Sequence, residues 1–244
     1  MFSRVELNLT ELCDLRCSFC PRAFDYPNRN LHMTLETAEI IADQVSMIDR
    51  PIEVILSGRG EPTLHNQFGE LVELFLDRDI DLIMFTNGKR LDRYYDLVTD
   101  FKRLSYDVYS ENEEDFYSAI EKTNHLKCRR SIVQKTEDGK IINRFEKGEI
   151  HSNLDQEFVE NRAGAIKDGF NFKYKGNCPW LRHVVFIDWN GDYNLCCQDW
   201  TPTIMGNVRD ESLLDYYNKN TKLKEYQQGI SSGKRLSPCD VCTY

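Results

Sequence analysis

The sequence predicts an α/β fold: a partial parallel (β/α)6 TIM-like barrel followed by a small C-terminal domain. Three observations carry this. Strand-like and helix-like segments alternate from residue 5 to residue 133, as in a parallel sheet with right-handed crossovers. Loops bearing cysteine and glycine follow the strand ends, where a parallel barrel keeps its active site. From Cys178 onward the composition shifts to Cys, Trp, Gly and short strands, so a boundary near residue 160 gives domains 1–160 and 161–244.

VELNL (Val5 to Leu9) reads as a short strand running into a cysteine loop. Thr34 is placed to cap a helix to about Ile48, with Leu35, Ala38, Ala42 and Val45 on one face. Pro51 precedes a buried strand, Ile52 to Ser57, which Gly58 ends. Helices over Phe68 to Leu76, Leu91 to Phe101 and Glu113 to Lys122 continue the series. They alternate with strands over Asp81 to Gly88, Leu104 to Tyr109 and Lys127 to Val133. Near Thr136 the pattern stops. EDGK (Glu137 to Lys140) reads as a turn, and the stretch to about Asn161 as polar and irregular. VVFIDWNGDYNLCC reads as a hairpin, Val184 to Ile187 and Tyr193 to Cys196, turning at Asn190 and Gly191.

At 244 residues, 41% hydrophobic and 29% charged, the chain has the size and composition of a soluble globular protein with a large core. Lys and Arg total 31 against 40 Asp and Glu, a net charge of −9 that argues against broad nucleic-acid or anionic-membrane binding. No apolar run approaches the roughly 20 residues of a membrane span. MFSRVELNLTELC lacks the apolar stretch of a signal peptide. Nine cysteines without an export signal point to metal or redox chemistry in the cytoplasm rather than to disulfides.

Cys13, Cys17 and Cys20 lie in one short loop, CDLRCSFC. Three thiolates at this spacing can grip three irons of a cubane [4Fe–4S] cluster, which four cysteines normally hold. The remaining iron is then open to a chelating small molecule. A zinc or structural cluster site with a borrowed fourth ligand is the alternative. The pattern resembles the radical S-adenosylmethionine (radical SAM) superfamily. That resemblance implies an open iron that binds the amino and carboxylate groups of S-adenosyl-L-methionine (AdoMet), with Phe19 against its adenine.

SGRGEP (Ser57 to Pro62) resembles the family's GGEP motif, which implies that Gly58, Gly60 and Glu61 cradle the AdoMet amino group. Glycine permits close backbone approach, and a carboxylate can pair with an ammonium. Arg59 departs from the motif, which needs backbone carbonyls there, so a side chain pointing away would be tolerated. TNG (Thr86 to Gly88) closes a strand, where Asn87 can hydrogen-bond a ligand or simply end the strand in a turn. Ser105, Asp107 and Tyr109 share one face of the next strand. The resemblance gives Asp107 to the ribose hydroxyls; a solvated or capping carboxylate is the alternative.

In the tail, Cys178, Cys196, Cys239 and Cys242 suit either Zn²⁺ or a fully ligated [4Fe–4S] cluster. With NRAG (Asn161 to Gly164), CPW, DWNGDYNLCCQDW, GNVRDESLLDYY and PCDVC around them, they resemble the shortened SPASM, or Twitch, Fe–S auxiliary domain of radical SAM enzymes. Adjacent cysteines on a strand point to opposite sides, so one of Cys196 and Cys197 binds; family spacing implies Cys196. Cys128 reads as a small buried apolar residue, and the five histidines show no ligand spacing.

The combined resemblance implies two [4Fe–4S] clusters, AdoMet, and a flavodoxin or ferredoxin electron donor. It implies cleavage of AdoMet to a 5′-deoxyadenosyl radical and hydrogen abstraction from a small-molecule substrate. With the tail cluster as electron acceptor, the expected reaction is oxidation of a small alcohol, sugar or aminocyclitol. Arg162 is the expected substrate contact, or else a structural arginine at the domain junction. The alternatives are cross-linking or epimerisation of a ribosomal peptide, sugar epimerisation, and a zinc-stabilised binding module without catalysis. Zinc has no need of the GxGEP and TNG placements.

Overall fold

The computed structural model describes residues 1–17, 20–110, 112–135, 141–145, 162–165 and 178–242. Its strands are β1 (Arg4–Asn8), β2 (Glu53–Ser57), β3 (Leu82–Thr86), β4 (Arg103–Tyr109) and β5 (Cys128–Lys135), then β6 (Ile141–Phe145), β7 (Val184–Ile187), β8 (Asp192–Asn194) and β9 (Ile204–Asn207). They form one sheet in the order β6-β5-β4-β3-β2-β1-β7-β8-β9. β1 to β5 and β7 are parallel, which makes the six-stranded partial TIM-like barrel. β6 adds antiparallel to β5, and β8 and β9 continue antiparallel beyond β7.

Helices cover one face. α1 (Leu35–Ser46) and α2 (Phe68–Leu76) pack Ala38, Ile41, Val45, Leu71 and Phe75 against Val5, Leu7, Val54, Leu56, Leu82 and Met84 in one core. The period-two alternation of each strand then sends the intervening side chains to the opposite face. Ile55, Ile83 and Phe186 are buried but lie outside that core. Glu6 stands between Ile55 and Phe186 in the sheet register. The inner face is therefore mixed: Glu6, Asn8, Ser57, Ser105 and Asp107 share it with a few apolar groups. A parallel sheet covered on both faces normally reads as continuous apolar strands. The polar alternation in VELN and LSYDVY marks an interior reserved for ligands.

The local signals for helix boundaries are visible in the contacts. Thr34 accepts from the Thr37 N–H at 3.2 Å and starts α1. α4 (Glu113–Lys122) is capped by Asn112 at 3.0 Å and carries three acids in its first turn and Lys122 in its last, as the helix dipole favours. The helix expected over Leu91 to Phe101 is shorter: a 3-10 turn, Leu91–Tyr94, leads into a single α turn, α3 (Tyr95–Val98). Tyr94, at φ −132° and ψ 16°, leaves the helical region between them.

The tail holds more helix than its sequence announced. After α5 (Trp180–His183) and the three short strands come α6 (Leu213–Lys219) and α7 (Thr221–Ser232). Ser212 and Asn220 cap these last two, and Gly233 ends α7 at φ +76°. The hairpin expected in a separate tail unit forms, and its first strand pairs with β1, so it also completes the barrel sheet. Without β7, β1 would present a raw hydrogen-bonding edge. The expected EDGK turn lies outside the described residues. β6 occupies part of the stretch expected to be irregular. Among the described residues, no helix is long and apolar enough to cross a membrane.

Candidate cofactor and substrate site

The inner face of the barrel and the loops above it enclose a cavity of about 390 Å³. Cys13, Cys17 and Cys20 all line it, as do Gly58, Gly60, Glu61, Asn87, Asp107 and Arg162. Seven cysteines and seven other residues were singled out in the sequence, and nine of these fourteen meet in this one space. The four tail cysteines lie elsewhere, and Phe19 falls outside the described residues.

The cysteine loop is organised by groups the sequence reading did not name. Asn28 clamps Cys13, accepting from its N–H at 2.9 Å and donating to its carbonyl at 3.1 Å. Arg22, 3% exposed, donates to the carbonyls of Glu11 at 2.6 Å, Arg59 at 2.8 Å and Pro27 at 3.0 Å. Its planar fork has the geometry to collect several acceptors at once. The Cys17 thiol is pushed up to about 12 by burial first, then by the charges of Cys20 and Cys13. Deprotonation of such closely grouped thiols is favoured by bound metal.

Gly58 and Gly60 owe their identity to close approach. Gly58 has φ +116°, and a Cβ there would sit 2.6 Å from Asn8 Oδ1. A Cβ on Gly60 would run into the carbonyl oxygens of Thr10 and Leu12. That contact lets the Glu61 N–H reach the Leu12 carbonyl at 2.7 Å, so the motif packs directly on the start of the cysteine loop.

Glu61 is buried and accepts four hydrogen bonds. Oε1 takes the Thr63 N–H at 3.1 Å, the Thr63 hydroxyl at 2.7 Å and the Thr86 hydroxyl at 2.7 Å. Oε2 takes the Asn87 N–H at 2.8 Å. Burial raises its pKa against these bonds. Glu61 therefore ties the end of β2 to the end of β3 as well as facing the cavity. Asn87 in turn donates from Nδ2 to Asp14 Oδ1 at 2.8 Å, inside the cysteine loop. The backbone turn at Gly88, φ +73°, is packed against the Tyr106 ring.

Arg59 does not point to solvent. It is 3% exposed, with Nη1 2.6 Å from Asp188 Oδ2 and 3.4 Å from Glu11 Oε1, and its guanidinium lies over the Phe186 ring. Asn8 donates to Asp188 at 2.6 Å and to Glu11 at 3.0 Å, and Asn194 donates to Asp188 at 2.9 Å. The residue that departs from the family motif thus joins the cysteine loop, the glycine loop and the tail in one buried network.

Asp107 accepts from the Ser131 hydroxyl at 2.5 Å on the inner face of β4 and β5, and burial raises its pKa. Arg162 has φ +47° and donates to Gln198 Oε1 at 2.8 Å. Both face the cavity.

The adjacent tail cysteines diverge. Cys178, Cys196, Cys239 and Cys242 line one small pocket with Leu181, Leu195 and Ile230. Cys239 is pushed up to about 12 by burial, with Cys242 and Cys178 adding charge repulsion. Cys197 instead lines the central cavity beside Glu6. The donor sets, three thiols on a cavity wall and four around an apolar pocket, fit iron–sulfur clusters of open and closed ligation. Among the described residues, no group of three His, Cys, Asp or Glu side chains closes around a point suited to a single ion. Cys128 is partly buried against the core. His65 Nε2 lies 2.8 Å from the Met33 carbonyl, and its ring meets His32 edge-on.

Sequence reasoning missed Glu6, and weighed Cys197 only as the alternative to Cys196, not as a cavity residue. Glu6 is 6% exposed, lines the cavity, and accepts from the Ser57 hydroxyl at 2.6 Å. The signal was present: a carboxylate at the centre of a strand that alternates polar and apolar residues, in phase with Asn8.

A barrel whose strand ends gather three cysteines, a glycine-bounded glutamate and an inward aspartate defines a class, a radical-forming AdoMet enzyme. The chain belongs to the Radical SAM superfamily, whose family profile matches residues 7–141. The profile of an iron-sulfur cluster-binding domain, SPASM, matches residues 178–243. Membership carries AdoMet and iron–sulfur clusters as the cofactor classes. A GTP 3′,8-cyclase from Alkaliphilus oremlandii is 27% identical over 117 residues, 46% of this chain and 36% of that protein. Matches to curated relatives span only 31% to 46% of those relatives' own length. Among solved structures, BtrN in complex with AdoMet and 2-DOIA superposes with a TM-score of 0.73 at 18% identity, over 100% of this chain and 92% of that one. Streptococcus suis SuiB bound to precursor peptide SuiA gives 0.52 at 17% identity, over 100% of this chain and 70% of that one.

Proposed function

We propose that this radical SAM enzyme dehydrogenates a small alcohol, sugar or aminocyclitol, with the tail site as electron acceptor. One observation carries the reading: the cavity beside the three-cysteine loop reaches the tail at Cys197, the neighbour of Cys196. A substrate there would touch both segments. The compact fold it shares with a chain that takes 2-DOIA beside AdoMet supports the small-molecule reading.

In this proposal Cys13, Cys17 and Cys20 hold one [4Fe–4S] cluster, and Cys178, Cys196, Cys239 and Cys242 hold a second. Bound there, the first cluster, given one electron by the donor protein, and AdoMet would supply a 5′-deoxyadenosyl radical able to take a hydrogen atom from the substrate carbon, and the second cluster would accept the remaining electron as the hydroxyl proton is lost to solvent. The protein's own residues do the positioning. Gly58 and Gly60 keep the backbone close to the cysteine loop, Glu61 and Asn87 fix the AdoMet side, Asp107 takes the ribose, and Phe19 contacts adenine. Arg162 contacts substrate from the tail side. The division into domains 1–160 and 161–244, cytoplasmic residence and a flavodoxin or ferredoxin donor belong to the same proposal.

The test is anaerobic reconstitution followed by iron and sulfide analysis and assay with alcohols deuterated at carbon. About eight irons per chain are expected from two cubanes. Deuterium should pass into 5′-deoxyadenosine with formation of a carbonyl product. Zinc in both sites would instead make the chain a metal-stabilised binding module. Deuterium transfer with an inverted alcohol would make it an epimerase, and transfer only from a peptide would make it a peptide-modifying enzyme, as the fold shared with peptide-bound SuiB permits.

A further inference from the structure

We infer that Glu6 is the substrate anchor of this cavity, and that it takes a hydroxyl group of a small, ring-shaped, polyhydroxylated molecule. The inference rests on the proposed function only in treating the cavity as the substrate site.

Several other charged groups on the cavity wall are engaged by their own chain, Arg4 with Glu53 among them. Glu61 holds four donors of its own chain. Arg22 is spent on backbone carbonyls, and Arg59 on Asp188 and Glu11. Asp107 accepts from Ser131 on β4 and β5, the far wall from β1. Glu6 accepts from the Ser57 hydroxyl, which reaches Oε1 at 2.6 Å, and the Cys197 thiol lies beside it. The Cys197 thiol and the Arg162 charge lie close enough to favour its ionised form. Burial opposes them and leaves the carboxyl harder to ionise than usual. A buried carboxylate of this kind gains most from a further hydrogen-bond donor.

The opposite character of the neighbouring wall narrows the ligand. Phe85, on the inner face of β3, is 38% exposed and lines the same cavity with Ile55. An exposed aromatic ring in mid-strand is a flat apolar platform. Glu6 and Ser57 offer an acceptor and a hydroxyl, while Arg162 and Gln198 add a cation and an amide from the tail side. A cyclitol or pyranose matches this: hydroxyls at the rim for the polar groups, and a C–H face for Phe85.

The experiment is binding to the AdoMet-loaded holoenzyme, read by saturation-transfer NMR and calorimetry. The probes are myo-inositol, scyllo-inositol, 2-deoxystreptamine, glucose and a hexapeptide of Ala and Gly. At least one cyclitol or sugar should bind, the hexapeptide should not, and Glu6→Gln should weaken the bound probe at least tenfold. Glu6→Asp, which keeps the charge, should lie between them. Iron content and AdoMet binding should stay at wild-type levels in both variants. Unchanged affinity in Glu6→Gln overturns the anchor, and absence of binding by every hydroxylated probe overturns the ligand class. Glu6-dependent binding without oxidation of the probe would uphold the anchor while removing the dehydrogenase reading.

Discussion

The Arg59 guanidinium and the Asp188 carboxylate meet at 2.6 Å with both side chains buried, joining the glycine loop to the residue just after β7. Removing one partner leaves a buried charge uncompensated, at a cost of about 3–5 kcal/mol. Asp188→Ala should therefore lower the stability of the metal-free protein by that order in chemical denaturation. Replacing the pair together, Arg59→Met with Asp188→Leu, should recover only part of the loss, because Asn8 and Asn194 lose their acceptor and Glu11 its cation.

Gly60 and Gly69 should respond oppositely to alanine. At Gly60 a Cβ enters the Thr10 and Leu12 carbonyls, so Gly60→Ala should displace the cysteine loop and lower both melting temperature and bound iron. At Gly69, in α2, a Cβ meets nothing within 4 Å. Gly69→Ala should raise stability by about 0.4–1 kcal/mol, measured by denaturant midpoint.

The cysteine pair gives a metal-content prediction. Cys196 shares a pocket with Cys178, Cys239 and Cys242, whereas Cys197 faces Glu6. Cys196→Ser should lose about half of the iron expected for two cubanes. Cys197→Ser should keep its full complement.

Asp107 sets a pH dependence. Burial raises its pKa in the folded chain, so between the ordinary aspartate value and the raised one the native state holds more proton than the unfolded state. Its contribution is fully present below the unfolded value and is lost as pH rises through the folded value. Asp107→Asn carries no such titration. In denaturation of the metal-free proteins, its stability relative to wild type should increase as pH rises across that window.

The helices and inner strands were legible because their signals are local. Phe68, Leu71, Val72 and Phe75 repeat at helical spacing and bury one face of α2. The Thr34 hydroxyl announces α1 in the sequence and caps it in space. The cysteine and glycine motifs were legible because their chemistry fixes residue type. What escaped was non-local. Nothing local to Arg59 announces its burial against Asp188, 129 positions distant. β7 became a barrel strand because β1 needed a neighbour, a demand the hairpin's own residues do not state. Glu6 was passed over because a lone acid in a short strand reads as solvent-facing until its register with Ile55 and Phe186 is known.

The pairing of β1 with β7 has a consequence for how the chain comes apart. The two cysteine-bearing segments are stitched by a backbone ladder in mid-sheet, so detaching the tail would strip β1 bare. Metal-free protein should accordingly melt in one cooperative step, and neither piece of a chain severed between residues 165 and 178 should hold its shape alone.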